Sequence, residues 1–534
     1  MEIKLFIQRY NIFLYIFSLI LISLFINQYY AYQGVLPVDS FSTFNSGYDI
    51  LNGSIPFKDY WVLKGIILDF IQAGFFKVFG VSWFSYALHS SIFNSIFALA
   101  TFYTFRELGL ETKYAFIYSV AGSVLMYPTY GTPFTDHSTA VFCILAVYSL
   151  ILSIKNKNKI FWFLIPIMLF LAFFTKQTPT GYIAILISFI SILFLINNFD
   201  KKIINYGLIG TFIPVITSLT YIFYKDISLE SIYLQYFLYP ISLGETRLEW
   251  LLPIEFQRFV LRHKLIYLAL AVPFYLLIKN TYKNFLSIIE SDNLIFLTLI
   301  GTLFIFVTHQ LMTINGLYIY FLIPVFSGFS HIYSKKIKKS KLLINFFLIL
   351  TVISSIYYHQ KYISKRDTLI LRDINLNDAV NAGKLSKKLD NLKWITHHYP
   401  NNPEKEIENL LKSIELIKSD KQKKMIVTDY QFISVILNLD DNAAARIWWR
   451  HHIYPQSGQK YFNKWKSFLL SKIKEKNIRV IYTVHPLEGE HDIFDGLIES
   501  NCIQKEKLNE ILVIQRLQNC KELNSFKIVK NNIN

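Results

Sequence analysis

Residues 37–66 read PVDSFSTFNSGYDILNGSIPFKDYWVLKGI, and the rest of the chain is interpreted outward from them. Phe41, Phe44, Tyr48 and Leu51 recur at spacings of three, four and three, which places them on one face of a short helix stopped at Asn52-Gly53. Such a helix is expected to lie on a bilayer surface. Asp39 stands at its start and Lys64 at the next entry into apolar sequence. An acid and a base therefore share a water-lipid boundary.

The surroundings explain why a bilayer enters the argument. The chain has 534 residues, 53% of them hydrophobic and 17% aromatic, and the apolar residues come in long blocks. That composition marks a polytopic α-helical membrane protein. The net charge of +17 would suggest nucleic acid in a soluble chain. Here the basic residues fall in short loops between apolar blocks, where they act as topology signals and meet anionic lipid head groups, so membrane lipids and not nucleic acid are the expected partners. No Gly-rich phosphate loop, HExxH or CxxC pattern is present, which leaves soluble nucleotide and zinc chemistry without sequence support.

The first apolar block, about 11–31, follows Lys4 and Arg9, lacks a small-residue cleavage site and is read as a retained span. Ten more spans are expected near 82–105, 114–127, 137–154, 160–175, 181–198, 203–224, 264–278, 293–310, 314–333 and 341–358. The stretch 65–80 is interrupted by Asp69, Gln72 and Lys77 and is read as a second surface or re-entrant helix. With the N-terminus inside, Arg106, Lys113, Lys155, Lys157, Lys159, Lys201, Lys202, Lys279, Lys283 and the run Lys335 to Lys341 all fall in cytoplasmic loops. The same model leaves 32–81, 128–136, 176–180, 225–263, 311–313 and everything after about 359 outside.

From Lys361 the long apolar blocks end. Short β-like runs, Lys424 to Thr428, Arg479 to Thr483 and Ile511 to Ile514, alternate with helical stretches, Glu404 to Ser419 and Lys460 to Lys474. About 170 residues can bury a core, so 1–360 is expected as a transmembrane domain and 361–534 as a separate extracytoplasmic α/β domain. Cys502 and Cys520 flank the last of these runs, and a disulfide between them would contribute roughly 3 kcal/mol.

The candidate site residues lie in the outer loops. Asp39 is suited to capping a helix at Ser40-Phe41, but Lys58, Asp59 and Lys64 follow in one connecting loop, a charge density that a cap does not require. Asp136 and His137 open the fourth span, where a carboxylate is favoured by the helix dipole in any case. Lys176-Gln177 closes the fifth span on the outer side. A lysine there snorkels to head groups or meets a phosphate. Arg247, Arg258 and Arg262 in the 225–263 loop serve surface anchoring and phosphate contact equally well.

Asp39, the run Gly53 to Trp61 leading to Lys64-Gly65, Phe79-Gly80 and Thr175-Lys176-Gln177 resemble the integral-membrane GT-C glycosyltransferases. The resemblance is closest to the bacterial branch of aminoarabinose transferases and protein O-mannosyltransferases, and it covers roughly residues 11–333. It implies transfer of a sugar from a polyprenyl-phosphate donor to a lipid, glycan or protein acceptor on the outer face of a bacterial cell membrane. It also implies Asp39 as general base, Lys64 and Lys176 as phosphate-facing cations, and Asp136 near the sugar or acceptor. Relatives carry a second acid where Ser40 stands, or an acid where Leu63 stands, so no divalent metal cofactor is expected.

Two readings from other classes compete with this one. A transporter or flippase of a lipid-linked sugar would place charges near the middle of spans. A membrane-anchored binding protein would use Trp394, His397, His398, Trp448, Trp449 and His451 of the tail, although such residues more often pack a core, and their spacing gives no ordered metal site.

Overall fold

The computed structural model describes residues 2–62, 64–252, 255–313, 318–338, 340–366, 369–440, 442–448, 454–485, 494 and 496–518, with the side chains from residue 12 onward except those of 245, 246, 250 and 363–365. The chain packs as two compact units. One comprises 1–32, 87–221 and 246–368; the other comprises 33–86, 222–245 and 369–534. In this grouping the first loop and the segment 222–245 fall with the C-terminal residues.

The first unit is a bundle of apolar helices. Six are long and apolar enough to cross a membrane among the described residues: Ile12–Ala31, Thr135–Asn156, Gln177–Asn197, Lys201–Tyr224, Ser291–Thr313 and Ser340–Tyr362. The other expected spans overlap helices Trp83–Glu107, Thr112–Met126, Lys159–Phe173, Lys264–Ala269 with Ala271–Lys283, and Tyr318–Phe321 with Leu322–Ser334, residues 314–317 lying outside the described residues. Helix Thr135–Asn156 is buried at nearly every position from Asp136 to Ile154, which requires an apolar surface all round. Phe212, Ile216 and Leu219 of Lys201–Tyr224 are exposed instead, a face suited to lipid.

Polar groups stitch the bundle together where helices cross. The Asn27 amide donates to Ser90, Ser91 and the Gly131 carbonyl, each at 3.0 Å, and the Asn94 amide donates to the carbonyls of Ser23 and Ser123. Gly131, at φ +76°, passes so close to the Ala31 backbone that no side chain fits there. Arg366 is 1% exposed and donates to the carbonyls of Tyr30, Pro128 and Thr129. Basic residues gather at one end of this bundle. Lys155, in the last turn of its helix, and Lys336 both pair with Asp292, at the start of Ser291–Thr313.

The second unit is built on a four-stranded sheet. Its strands are β1 (Lys424–Thr428), β2 (Val480–Val484), β3 (Ile503–Lys507) and β4 (Leu512–Leu517), in the order β1-β2-β4-β3. β1 and β2 are parallel and the other pairs antiparallel. Helix Phe462–Glu475 lies in the β1-to-β2 connection and helix Pro403–Ser419 precedes β1, close to the expected elements. β3 reads IQKEK and is largely exposed; it is a charged edge strand with no apolar alternation to announce it. Cys502 is disulfide-bonded, and Cys520 lies outside the described residues.

The first loop is woven into this unit. The Gly34 and Val35 amides donate to the carbonyls of Lys393 and Ile395, and the Trp61 amide donates to Ala444 at 2.7 Å. Gln235 holds residues 57–62 from the segment 222–245, accepting from the Val62 amide at 2.8 Å and donating to the Phe57 carbonyl at 3.2 Å.

The expected helix is Ser42–Leu51, and it stops at Asn52-Gly53 as expected, with Gly53 at φ +96°. Its environment corrects the reading of a surface helix, because Ser42 to Asp49 are all buried. Helix Ile67–Phe79 packs against it so closely that a Cβ at Gly47 would lie 2.7 Å from Gln72 Cγ. Its thirteen residues span about 20 Å, short of a ~30 Å hydrocarbon core.

Candidate functional site

In the second unit the site residues converge on the ends of helices and of one strand. Asp39 lies in the four-residue helix Pro37–Ser40. The N-cap of Ser42–Leu51 is Phe41, with no side-chain cap hydrogen bond. Asp39 therefore does not cap that helix; it stands in the first turn of its own short helix.

Lys64 stands just before helix Ile67–Phe79, hydrogen-bonded to Thr43 Oγ1 at 3.4 Å. Burial pushes its ammonium pKa down, while Asp69 and Asp39 act in the opposite direction. Asp69 is 3% exposed and accepts from Ser46 Oγ at 2.5 Å. Burial drives its pKa up, against the Lys64 charge and the Ser46 hydrogen bond. Lys64 is thus a cation within electrostatic range of two acids, one buried and one, Asp39, partly open.

Asp59 is placed differently. Its carboxylate accepts the Ile55 amide at 2.7 Å and closes the turn 55–59, while Lys58 donates to the Lys225 carbonyl and faces Asp226. Both charges are engaged in shaping the loop.

Sequence reading missed the acids contributed by other segments. Asp49 pairs with Arg446. Glu406 is fully buried and accepts Trp394 Nε1 at 2.8 Å, Thr396 Oγ1 at 2.9 Å and the Tyr430 hydroxyl at 2.7 Å. Asp429 follows the carboxyl end of β1 and is within electrostatic range of Asp39. A lone acid after a β-run carries no local signal of such a partner. Trp394 and Trp448 are core residues, stacked with Tyr430 and packed on Tyr454 respectively, which favours the packing reading of the tail aromatics. Trp449 and His451 lie outside the described residues.

The first unit holds a separate ionic cluster. Asp136, the second residue of Thr135–Asn156, accepts from Lys176 and from His309 Nε2, the latter at 3.1 Å. Asp136 and His309 are 2% and 1% exposed. Lys176 precedes helix Gln177–Asn197, which Gln177 opens, and His309 lies near the end of Ser291–Thr313. The cluster therefore sits at the opposite end of these helices from Lys155 and Asp292. Arg247 is within electrostatic range of His309. His137 does not join the ion pairs; its Nε2 bonds Thr129 Oγ1 at 2.6 Å and its ring lies among Tyr127, Tyr130, Phe134 and Tyr318.

Among the described residues no group of three or more His, Cys, Asp or Glu side chains is placed to hold a metal ion. No family model matches the chain, and no curated protein does.

Proposed function

We propose that this chain is a membrane glycosyltransferase that moves a sugar from a polyprenyl-phosphate donor to an acceptor hydroxyl on the outer face of the membrane. The observation that carries the reading is that Asp39, 25 positions away in sequence, lies within electrostatic range of Lys64, a partly open acid near a cation. The chemistry needs those two groups. Asp39 takes the proton of the acceptor hydroxyl as the new bond to the sugar's anomeric carbon forms. The bond to the carrier phosphate breaks, its electron pair leaves with the phosphate, and a fixed ammonium such as Lys64 stabilises that charge. A phosphate leaving group needs no protonation, so this scheme calls for no second acid at the departing oxygen.

The positive-inside pattern supports the sidedness, since the basic end of the helical bundle is where Lys155 and Lys336 meet Asp292.

A flippase or transporter is the second reading. It is favoured by the buried Asp136–Lys176–His309 cluster, because ionisable groups in spanning helices are costly and usually functional. The cluster lies at helix ends and not at their middle, which weighs against that reading.

The deciding experiment compares wild type and Asp39→Asn at equal protein level in isolated membranes, with a panel of radiolabelled polyprenyl-phosphate sugars and native acceptors. Transfer by wild type that drops at least ~100-fold in the variant is the expected result. Equal transfer by both removes Asp39 as base, and absence of transfer with every donor puts the flippase reading ahead.

A further inference from the structure

We infer that Asp429, contributed by the C-terminal sheet, is the positioning residue that receives the proton Asp39 takes from the acceptor, so that the C-terminal segment completes the site instead of covering it. The inference deepens the proposed transfer reaction and rests on Asp39 being its base.

The placement comes from packing. β1 ends at Thr428, whose Oγ1 donates to the Val484 carbonyl at 2.5 Å and accepts the Tyr430 amide at 2.8 Å. These bonds fix the turn carrying Asp429 against the carboxyl ends of two parallel strands, the edge where α/β sheets place ligands. The segment after Asp39 is seated on the same turn. The Phe41 ring lies 4.8 Å from that of Phe432, and Ser434 Oγ donates to Asn45 Oδ1 at 2.7 Å. Two short segments almost 400 positions apart thus pack together, with their acids within electrostatic range of one another. Both acids keep some open surface, whereas Asp49, Asp69 and Glu406 are buried.

The electrostatics agree with the geometry. Burial first, and the Asp39 charge second, raise the Asp429 pKa to about 6. Around it, the Asp39 charge acts on it from Pro37–Ser40, the neighbouring Tyr430 is engaged with Glu406, and Lys64 and Asp69 lie within electrostatic range of one another near Asp39. At neutral pH Asp429 is mostly ionised and ready to accept. The acceptor O–H bond breaks as an Asp39 O–H bond forms. That proton then passes to an Asp429 oxygen and afterwards to water, leaving Asp39 ionised for the next turnover.

The test uses the full-length protein in membranes and two readouts. A hydrophobic carbodiimide reacts with protonated carboxyls, and peptide mass spectrometry quantifies its addition to Asp429 as a function of pH. Labelling should fall with a midpoint near 6 in wild type, and the midpoint should move to lower pH in Asp39→Asn. A midpoint in the ordinary carboxylate range, or one that Asp39→Asn leaves in place, overturns the inference whether or not sugar transfer is seen. In the transfer assay, wild-type kcat/KM should rise with pH through about 6. Asp429→Asn should lose that limb and roughly ten-fold or more in rate, and Asp429→Glu should restore both. A loss in Asp429→Asn that is equal at every pH indicates a purely structural role and overturns the inference. Absence of transfer by wild type brings down the base assignment instead, a failure that the labelling result keeps distinct.

Discussion

Arg446 Nε lies 2.7 Å from Asp49 Oδ2, with the two side chains 6% and 3% exposed, and the guanidinium sits 4.1 Å from the centre of the Tyr60 ring. The pair joins the C-terminal segment to the helix of the first loop and to the strip that follows it. Removing one member leaves the other as an uncompensated buried charge. Arg446→Met is expected to destabilise the protein by ~3–5 kcal/mol. Adding Asp49→Leu should recover part of that loss, as measured by unfolding of the four proteins of the cycle in detergent. Strict additivity would show that the pair is not coupled.

Asp429 makes a pH-dependent contribution to stability whose sign is fixed. Its pKa rises from 3.8 to about 6 on folding, so the folded state binds the proton more tightly. Stability contributed by this group is greatest below the ordinary carboxylate range, declines as pH rises to about 6, and stays low above that. Asp429→Asn removes the titration. The variant is expected to be more stable than wild type at pH 8 by up to roughly 3 kcal/mol, with the difference falling below ~1 kcal/mol by about pH 4. Denaturant unfolding at the two pH values checks it, and an equal effect at both would remove titration as the cause.

Glu406 gathers three donors on one carboxylate, two of them on Oε2. Glu406→Gln supplies one carbonyl oxygen in place of two, and whichever way the amide turns its NH2 meets at least one donor. The expected cost is ~1–3 kcal/mol, measured as a shift in the unfolding midpoint. Tyr430→Phe should cost less, because Trp394 and Thr396 still satisfy the acid.

Arg366 closes the first unit by donating to three carbonyls from two separate segments. Arg366→Met keeps the volume but strands those acceptors. A loss of about 3 kcal/mol or more is expected, together with faster proteolysis of the 127–134 connection. Arg366→Lys should recover only part, since one ammonium does not reproduce the geometry of the planar fork.

Much of the helical unit is legible in the sequence. A bilayer demands long apolar runs and internally satisfied backbone, so the segments around Thr135–Asn156 or Ser291–Thr313 announce themselves by composition alone. The stop at Asn52-Gly53 was equally plain, because a left-handed residue is most cheaply provided by glycine. β1 and β4 were visible as apolar runs, and β3 was not, since an exposed edge strand carries charges that mimic a loop.

The sequence by itself determined that the chain is helical and membrane-embedded in character, that a small α/β segment follows, and that Asp39, Lys64, Asp136 and Lys176 are residues of interest. Tertiary structure alone decided which of them meet. It joined Asp136 to Lys176 and His309, set Asp59 to closing a turn, brought Asp49 to Arg446, and put Asp39 within electrostatic range of Asp429. Periodicity and composition report on neighbours within a few residues, because helix and strand geometry repeat locally. Contacts across hundreds of positions depend on how buried side chains fill common space, and a single sequence carries no local trace of that packing.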